Sequence, residues 1–175
     1  MEKPLELLIA QTAIANTVQR LAQEIDRDYV DRSPLMIGIL KGSFIFLADL
    51  VRAMQIPIRD VEFMRFSSYG SSTTSSGQAQ MLMGIAAETI VNQDVIVVED
   101  IIDTGITTHT ALELLQQYQP ASLKLCALLN KPERRQRSVQ IDYLGFTIPD
   151  RFIVGYGIDF NQQYRQLPAI YGLTE

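Results

Sequence analysis

The chain of 175 residues has one cysteine, one histidine and no tryptophan. The lone thiol, Cys126, excludes an intrachain disulfide and a multi-cysteine zinc cage, and it fits a reducing compartment. With only 10 Gly and 7 Pro, a collagen-like or low-complexity chain is excluded. No charge-free apolar run reaches the ~18 residues that a membrane-spanning helix needs, so none is expected. The opening MEKPLELL lacks the pattern of a signal peptide. Cations are also scarce. Fifteen Lys and Arg face 20 Asp and Glu, and the net charge of −5 argues against a broad polyanion-binding surface while leaving room for a local cationic pocket. What is present is apolar: 47% of residues are hydrophobic, too many for disorder. The expectation is one domain over residues 1–175, acting in the cytoplasm, with no membrane or nucleic-acid partner.

Ile14, Val18, Leu21 and Ile25 recur at spacings of four, three and four, which predicts an amphipathic helix from Gln11 to Tyr29. Ser33-Pro34 ends that pattern, because the residue before proline avoids helical backbone. Leu35 to Leu40 is a short continuous apolar run, as in a strand covered on both faces. A second helix is expected over Phe44 to Met54 and a strand over Val61 to Phe66. Val95 to Val98 is the clearest buried strand; a helix from about Thr108 to Tyr118 and a β-rich run from Leu123 to Leu129 follow. Strands and helices alternating in this way predict an α/β fold with a mostly parallel sheet flanked by helices.

Two segments break the pattern. Ser67 to Gln80 holds six Ser, two Thr and two Gly without a charge, and such a stretch inside a compact domain is either disordered or a working lid. Val95 to Thr107, VIVVEDIIDTGIT, ends a buried strand in adjacent carboxylates, Glu99 and Asp100, with Asp103 just ahead of a Thr-Gly-Ile-Thr turn. Carboxyl ends of parallel strands form binding crevices, and a glycine turn at a helix start offers N–H groups to an anion. Carboxylates beside a phosphate need an offset, which hydroxyls of a sugar and a divalent cation such as Mg2+ would supply. The simpler alternative is a helix start capped by Asp103 or Thr104.

VIVVEDIIDTGIT resembles the phosphoribosyl-pyrophosphate loop of the type I phosphoribosyltransferases, and Glu-Asp-Ile-Ile-Asp-Thr-Gly is closest to their 6-oxopurine branch. Leu40-Lys41-Gly42-Ser43 resembles the family's first loop, which often has a cis peptide before the lysine. Ser68-Tyr69 resembles the start of its flexible loop, here about 67–80; Lys131 in LLNKPERR its purine-reading lysine; and FTIPDRFIVGYGIDFNQQYR from Phe146 its hood. These motifs keep the family order over some 125 residues. The resemblance implies a small hood built mainly from 131–175 with help from the N-terminus.

It also implies transfer of 5-phosphoribosyl from phosphoribosyl pyrophosphate to N9 of hypoxanthine or guanine. By that resemblance Asp103, Thr104, Gly105, Ile106 and Thr107 hold the 5-phosphate, and Glu99 and Asp100 orient the ribose. Leu40, Lys41, Gly42 and Arg165 bind pyrophosphate. Glu99, Asp100 and Asp159 serve Mg2+, the implied cofactor, and Asp159 also borders the purine. Lys131 donates to the O6 carbonyl, Phe152 stacks on the ring, and Ile153 offers backbone groups to the base edge. Asp103 is the implied general base at N7, and Ser68 and Tyr69 close over an oxocarbenium-like transition state. Arg151 stands where lysine is more frequent and is a further pyrophosphate candidate. A dimer or tetramer is implied as well.

Other residues have plainer readings. His109 is expected on a helix surface, Cys126 and Tyr156 in the core, and Arg134, Arg135 and Arg137 as solvated or subunit-contact side chains. Two alternatives stand beside the main reading: transfer to xanthine or another base, and a non-catalytic regulator that senses phosphoribosyl pyrophosphate.

Overall fold

The computed structural model describes residues 4–67 and 80–173. In chain order its elements are β1 (Leu5–Ile9), α1 (Gln11–Asp28), β2 (Leu35–Leu40), α2 (Phe44–Ala53), β3 (Asp60–Ser67), β4 (Gln80–Met83), α3 (Ala87–Ile90), β5 (Asp94–Ile102), α4 (Ile106–Gln117), β6 (Ser122–Asn130), β7 (Tyr143–Thr147), β8 (Ile153–Val154) and β9 (Ile170–Leu173). A 3-10 turn at Pro132–Arg134 follows β6.

Six strands form one sheet in the order β4-β3-β2-β5-β6-β7. All neighbours in it are parallel except the β3/β4 edge pair. Strand alternation divides the core between its two faces. Met36, Ile96, Val98, Cys126 and Leu128 pack with Ile14, Leu21 and Ile25 of α1 and Phe46 and Leu50 of α2. Ile37, Val95, Val97, Leu125 and Ala127 pack with Ala111 and Leu115 of α4. Both faces of β2 and β5 are therefore covered, which is why they read as unbroken apolar runs. The expected α/β fold with a mostly parallel, helix-flanked sheet is the one observed.

A second sheet, β1-β9-β8, is antiparallel and joins the start of the chain to its end. Within 131–175, Tyr143–Thr147 instead completes the large sheet as β7, beside β6. No helix among the described residues is long and apolar enough to cross a membrane.

Most expected elements lie where their periodicity puts them, with β2 at the anticipated bounds. The largest shift is the end of β5, which runs on through Glu99 and Asp100 to Ile102 rather than stopping with the apolar run at Val98; the next is α4, which begins at Ile106 rather than Thr108. Its first turn is Ile-Thr-Thr-His, so the apolar period starts later than the helical backbone. The strands β1, β4, β7, β8 and β9 had no clear signal. They are two to five residues long, and β1, β8 and β9 find partners only between distant parts of the chain. Ser67 and Gln80, the ends of the polar segment, are themselves paired strand residues. Ser68 and Tyr69, with the rest of the proposed lid, lie outside the described residues.

Candidate active site

From β2 the parallel sheet grows in one direction to β3, and from β5 in the other to β6 and β7. The carboxyl ends of β2 and β5 thus flank a topological switch point, where open α/β sheets bind ligands. A cleft of about 520 Å3 lies there. It is lined by Leu40, Lys41 and Gly42 after β2, Glu99 and Asp100 on β5, Thr107 on α4, and Asp159 and Arg165 from the C-terminal segment. Eight of the expected site residues thus share one cavity. The peptide bond Leu40–Lys41 is cis, as the resemblance implied.

Glu99 continues the strand parity of Val97 and Asp100 that of Val98, so the two carboxylates leave β5 on opposite faces while both border the cleft. Both are buried. Burial, with Asp100 beside it, raises the Glu99 pKa well above its ordinary value. Burial also pushes Asp100 up to about 6, against the opposing pull of its own and the Ile101 backbone N–H groups and of Arg165. Glu99 Oε2 has no hydrogen-bond partner. A buried acceptor left unpaired is costly, so the site is chemically incomplete without a donor or cation. Gly42 is tight against this pair, since a Cβ there would fall on the Asp100 carboxylate.

After β5 the chain turns through Asp103 and Thr104 into Gly105, whose φ of 79° makes it the N-cap of α4. No side chain caps the helix by the usual N2 or N3 bond, and its first turn carries no acid. The simpler capping alternative is therefore corrected: a left-handed backbone residue does the work, because glycine adopts that conformation without strain. The side chain of Thr104 reaches only the N–H of Ile106, at 3.4 Å. Such an uncapped start presents N–H groups to an anion.

Asp103 Oδ2 accepts from Arg134 Nη1 at 3.3 Å, and its Oδ1 is buried without a partner. Arg134 also approaches Asp150 (3.8 Å), which pairs with Lys131 Nζ at 3.6 Å. Lys131 is only 4% exposed. Asp103 and Lys131 are thus joined through a short chain of charges. Phe152, 54% exposed, meets Phe160 edge-on with ring centroids 5.4 Å apart. The Leu173 N–H donates to the Phe152 carbonyl at 3.0 Å, which makes those two the hydrogen-bonded pair. Ile153, opposite Gly172, therefore turns its N–H and C=O away from β9.

Asp159 holds a turn and an ion pair at once. Its Oδ2 accepts from the Gln162 N–H (2.8 Å), holding a turn, while Oδ1 meets Arg165 Nη2 at 2.6 Å. Arg165 donates to the Gly157 carbonyl, and Gln162 Oε1 accepts from both Lys41 and Arg165. Two cations thereby gather at the cleft mouth. Among the described residues no three His, Cys, Asp or Glu side chains converge into a ready metal cage. The unpaired Glu99 oxygen and the raised Asp100 pKa nevertheless suit a hard cation that takes few protein oxygens and keeps waters.

Sequence reasoning missed Gln162, Arg65 and Phe66 in the lining, and Asp150 as partner of Lys131. It also missed what two of the arginines hold: Arg134 is exposed as expected yet reaches the loop, and Arg135 is not the solvated side chain expected. Arg134 pairs with Asp103, and Arg135 is half-buried against the loop, donating to the carbonyls of Ile102 and Asp103. The Lys131-Pro-Glu-Arg-Arg charge run was the available signal, but the turn at Pro132–Arg134 is what aims it inward. His109, paired with Glu113 at 3.2 Å, and buried Cys126 and Tyr156 match their plain readings.

Comparison with known proteins agrees with this geometry. Residues 6–161 match the model of the phosphoribosyl transferase domain. A hypoxanthine phosphoribosyltransferase of Salmonella typhimurium is 41% identical over 172 residues, 97% of this chain and 96% of that one. A hypoxanthine-guanine phosphoribosyltransferase of Bacillus subtilis is 38% identical over 165 residues, 94% and 91% of the two chains. The crystal structure of a Bacillus anthracis hypoxanthine-guanine phosphoribosyltransferase superposes with a TM-score of 0.91 at 42% identity, covering 99% of this chain and all of the other. With a switch-point cleft, a glycine-capped helix start beside it and relatives alike over nearly the full length, the chain belongs to the phosphoribosyltransferase family, among its hypoxanthine and hypoxanthine-guanine members.

Proposed function

We propose that the protein salvages purines, transferring 5-phosphoribosyl from phosphoribosyl pyrophosphate to N9 of hypoxanthine and guanine and releasing pyrophosphate. The observation that carries this reading is a pair of buried, unpartnered carboxylate oxygens, Glu99 Oε2 on the strand that lines the switch-point cleft and Asp103 Oδ1 on the loop that follows it. One can accept from a ribose hydroxyl and the other from a purine N–H. A protein that only senses the ligand has no need of the second acceptor.

The 5-phosphate is received by the turn from Asp103 through Thr107, by N–H groups and threonine hydroxyls. Glu99 and Asp100 orient the ribose. Lys41, with the backbone of Leu40 and Gly42, and Arg165 offset the charge of pyrophosphate as it leaves with the electron pair of its bond to the ribose carbon. Mg2+, if bound by Glu99, Asp100 and Asp159, supplies further charge to that leaving group. N9 provides the pair for the new bond, and the N7 proton passes to Asp103 Oδ1. Lys131 donates to O6, which favours a 6-oxopurine over adenine, whose 6-amino group is itself a donor. Phe152 covers one ring face, Ile153 offers backbone groups to the base edge, and Ser68 and Tyr69 close over the centre.

A cytoplasmic location, a single domain with its hood, and a dimer or tetramer complete the reading. Incubation with phosphoribosyl pyrophosphate, Mg2+ and hypoxanthine is expected to give inosine monophosphate and pyrophosphate in equal amounts. Absence of nucleotide from hypoxanthine, guanine and xanthine alike would overturn it.

A further inference from the structure

We infer that Arg135 is a positioning residue for the phosphate-binding turn, holding its peptide units so that their N–H groups face the ligand. The inference rests on the phosphoribosyl transfer proposed above. Three consecutive carbonyls of the turn are held by one segment, residues 131–137. The Ile102 carbonyl accepts from the Lys131 N–H at 2.9 Å and from Arg135 Nη2 at 3.2 Å. The Asp103 carbonyl accepts from Arg135 Nε at 3.2 Å. The Thr104 carbonyl accepts from the N–H groups of both Gln136 and Arg137, at 2.9 and 3.0 Å.

In a trans peptide unit the carbonyl and the following N–H point in opposite directions. Among the described residues the one cis bond is Leu40–Lys41, so the units after Ile102, Asp103 and Thr104 are trans. Anchoring their carbonyls to the strap therefore turns the N–H groups of Asp103, Thr104 and Gly105 away from it. A Cβ on Gly105 would fall on the Arg137 carbonyl, so glycine also lets the strap lie close. Every other bond from this strap to the three carbonyls is made by backbone N–H groups. Arg134 reaches only the Asp103 carboxylate, whereas Arg135 is the side chain that holds the Asp103 carbonyl, and its guanidinium is steadied by Asn130 Oδ1. The planar fork spans two successive carbonyls, which an ammonium, a point donor, does not do.

The test is the Michaelis constants of the wild type, Arg135→Met and Arg135→Lys for each substrate, with binding of inosine monophosphate by calorimetry. Arg135→Met is expected to raise KM for phosphoribosyl pyrophosphate and Kd for the nucleotide by roughly 10- to 100-fold, in line with the loss of charge-assisted bonds to partly buried carbonyls. KM for hypoxanthine should stay within about two-fold, since no purine contact is removed. Arg135→Lys should fall between, keeping one donor. If Arg135→Met does not fold, the lysine variant is read by the same criterion. An unchanged KM for phosphoribosyl pyrophosphate, or equal rises for both substrates, overturns the positioning role. A wild type that forms no nucleotide would instead overturn the transfer reaction itself, and the role with it.

Discussion

Asp103→Asn is expected to lower kcat for inosine monophosphate formation by about 10^2- to 10^4-fold, the usual reach of a general base. The Asp103 carboxylate has divided duties: Oδ2 is held by Arg134, and Oδ1 is buried with no partner. Asparagine is nearly isosteric and keeps an oxygen for one of these places, so the turn should survive and nucleotide binding should weaken little. It lacks the basicity to take the N7 proton. Parallel measurement of single-turnover rate and of inosine monophosphate affinity separates the two effects. Equal losses in rate and affinity would mean that Asp103 acts in binding and not as the base.

Asp100→Asn is expected to stabilise the ligand-free protein by about 3 kcal/mol at pH 8 and by little at pH 4. Burial raises the Asp100 pKa from its ordinary 3.8 to about 6, and a displacement of that size corresponds to about 3 kcal/mol. The sign follows from proton binding. Between the two values the folded protein holds the proton and the unfolded chain does not, so stability falls as pH rises from about 4 to about 6 and then levels. Glu99, raised well above its ordinary value in the same way, continues the fall to higher pH. Asparagine carries no charge to bury and removes the Asp100 share of the loss. The cost is functional: the variant loses a group proposed for ribose and Mg2+, and its affinity for phosphoribosyl pyrophosphate with Mg2+ should drop at least ~10-fold. Urea denaturation at pH 4, 6 and 8 checks the first part. A variant less stable than wild type at pH 8 would contradict it.

These two carboxylates also mark how far sequence reasoning reaches. VIVVEDIIDTGIT was legible because its features are local: an apolar strand, the acids at its end and a glycine turn follow one another in the chain. β2, α1 and the course of β5 and β6 were legible for the same reason, as burial on one or both faces writes a period into the residues. The small sheet was not, because Leu5–Ile9 and Ile170–Leu173 acquire meaning only when the two ends of the chain meet. Arg135 illustrates the same limit at the site. By composition it is one arginine in a surface charge run, and only the turn after Lys131 brings it beneath the loop. Asp159 serves a turn with one oxygen and Arg165 with the other, a division of labour that composition alone does not write.

The central claim is transfer of phosphoribosyl to a 6-oxopurine, with the base selected by the buried Lys131. The most direct measurement offers equimolar hypoxanthine, guanine and adenine to the protein with limiting phosphoribosyl pyrophosphate and Mg2+, and separates the nucleotides formed. The expected result is inosine and guanosine monophosphates accompanied by pyrophosphate, with adenine untouched. Adenosine monophosphate in comparable amount, or no nucleotide at all, would contradict it.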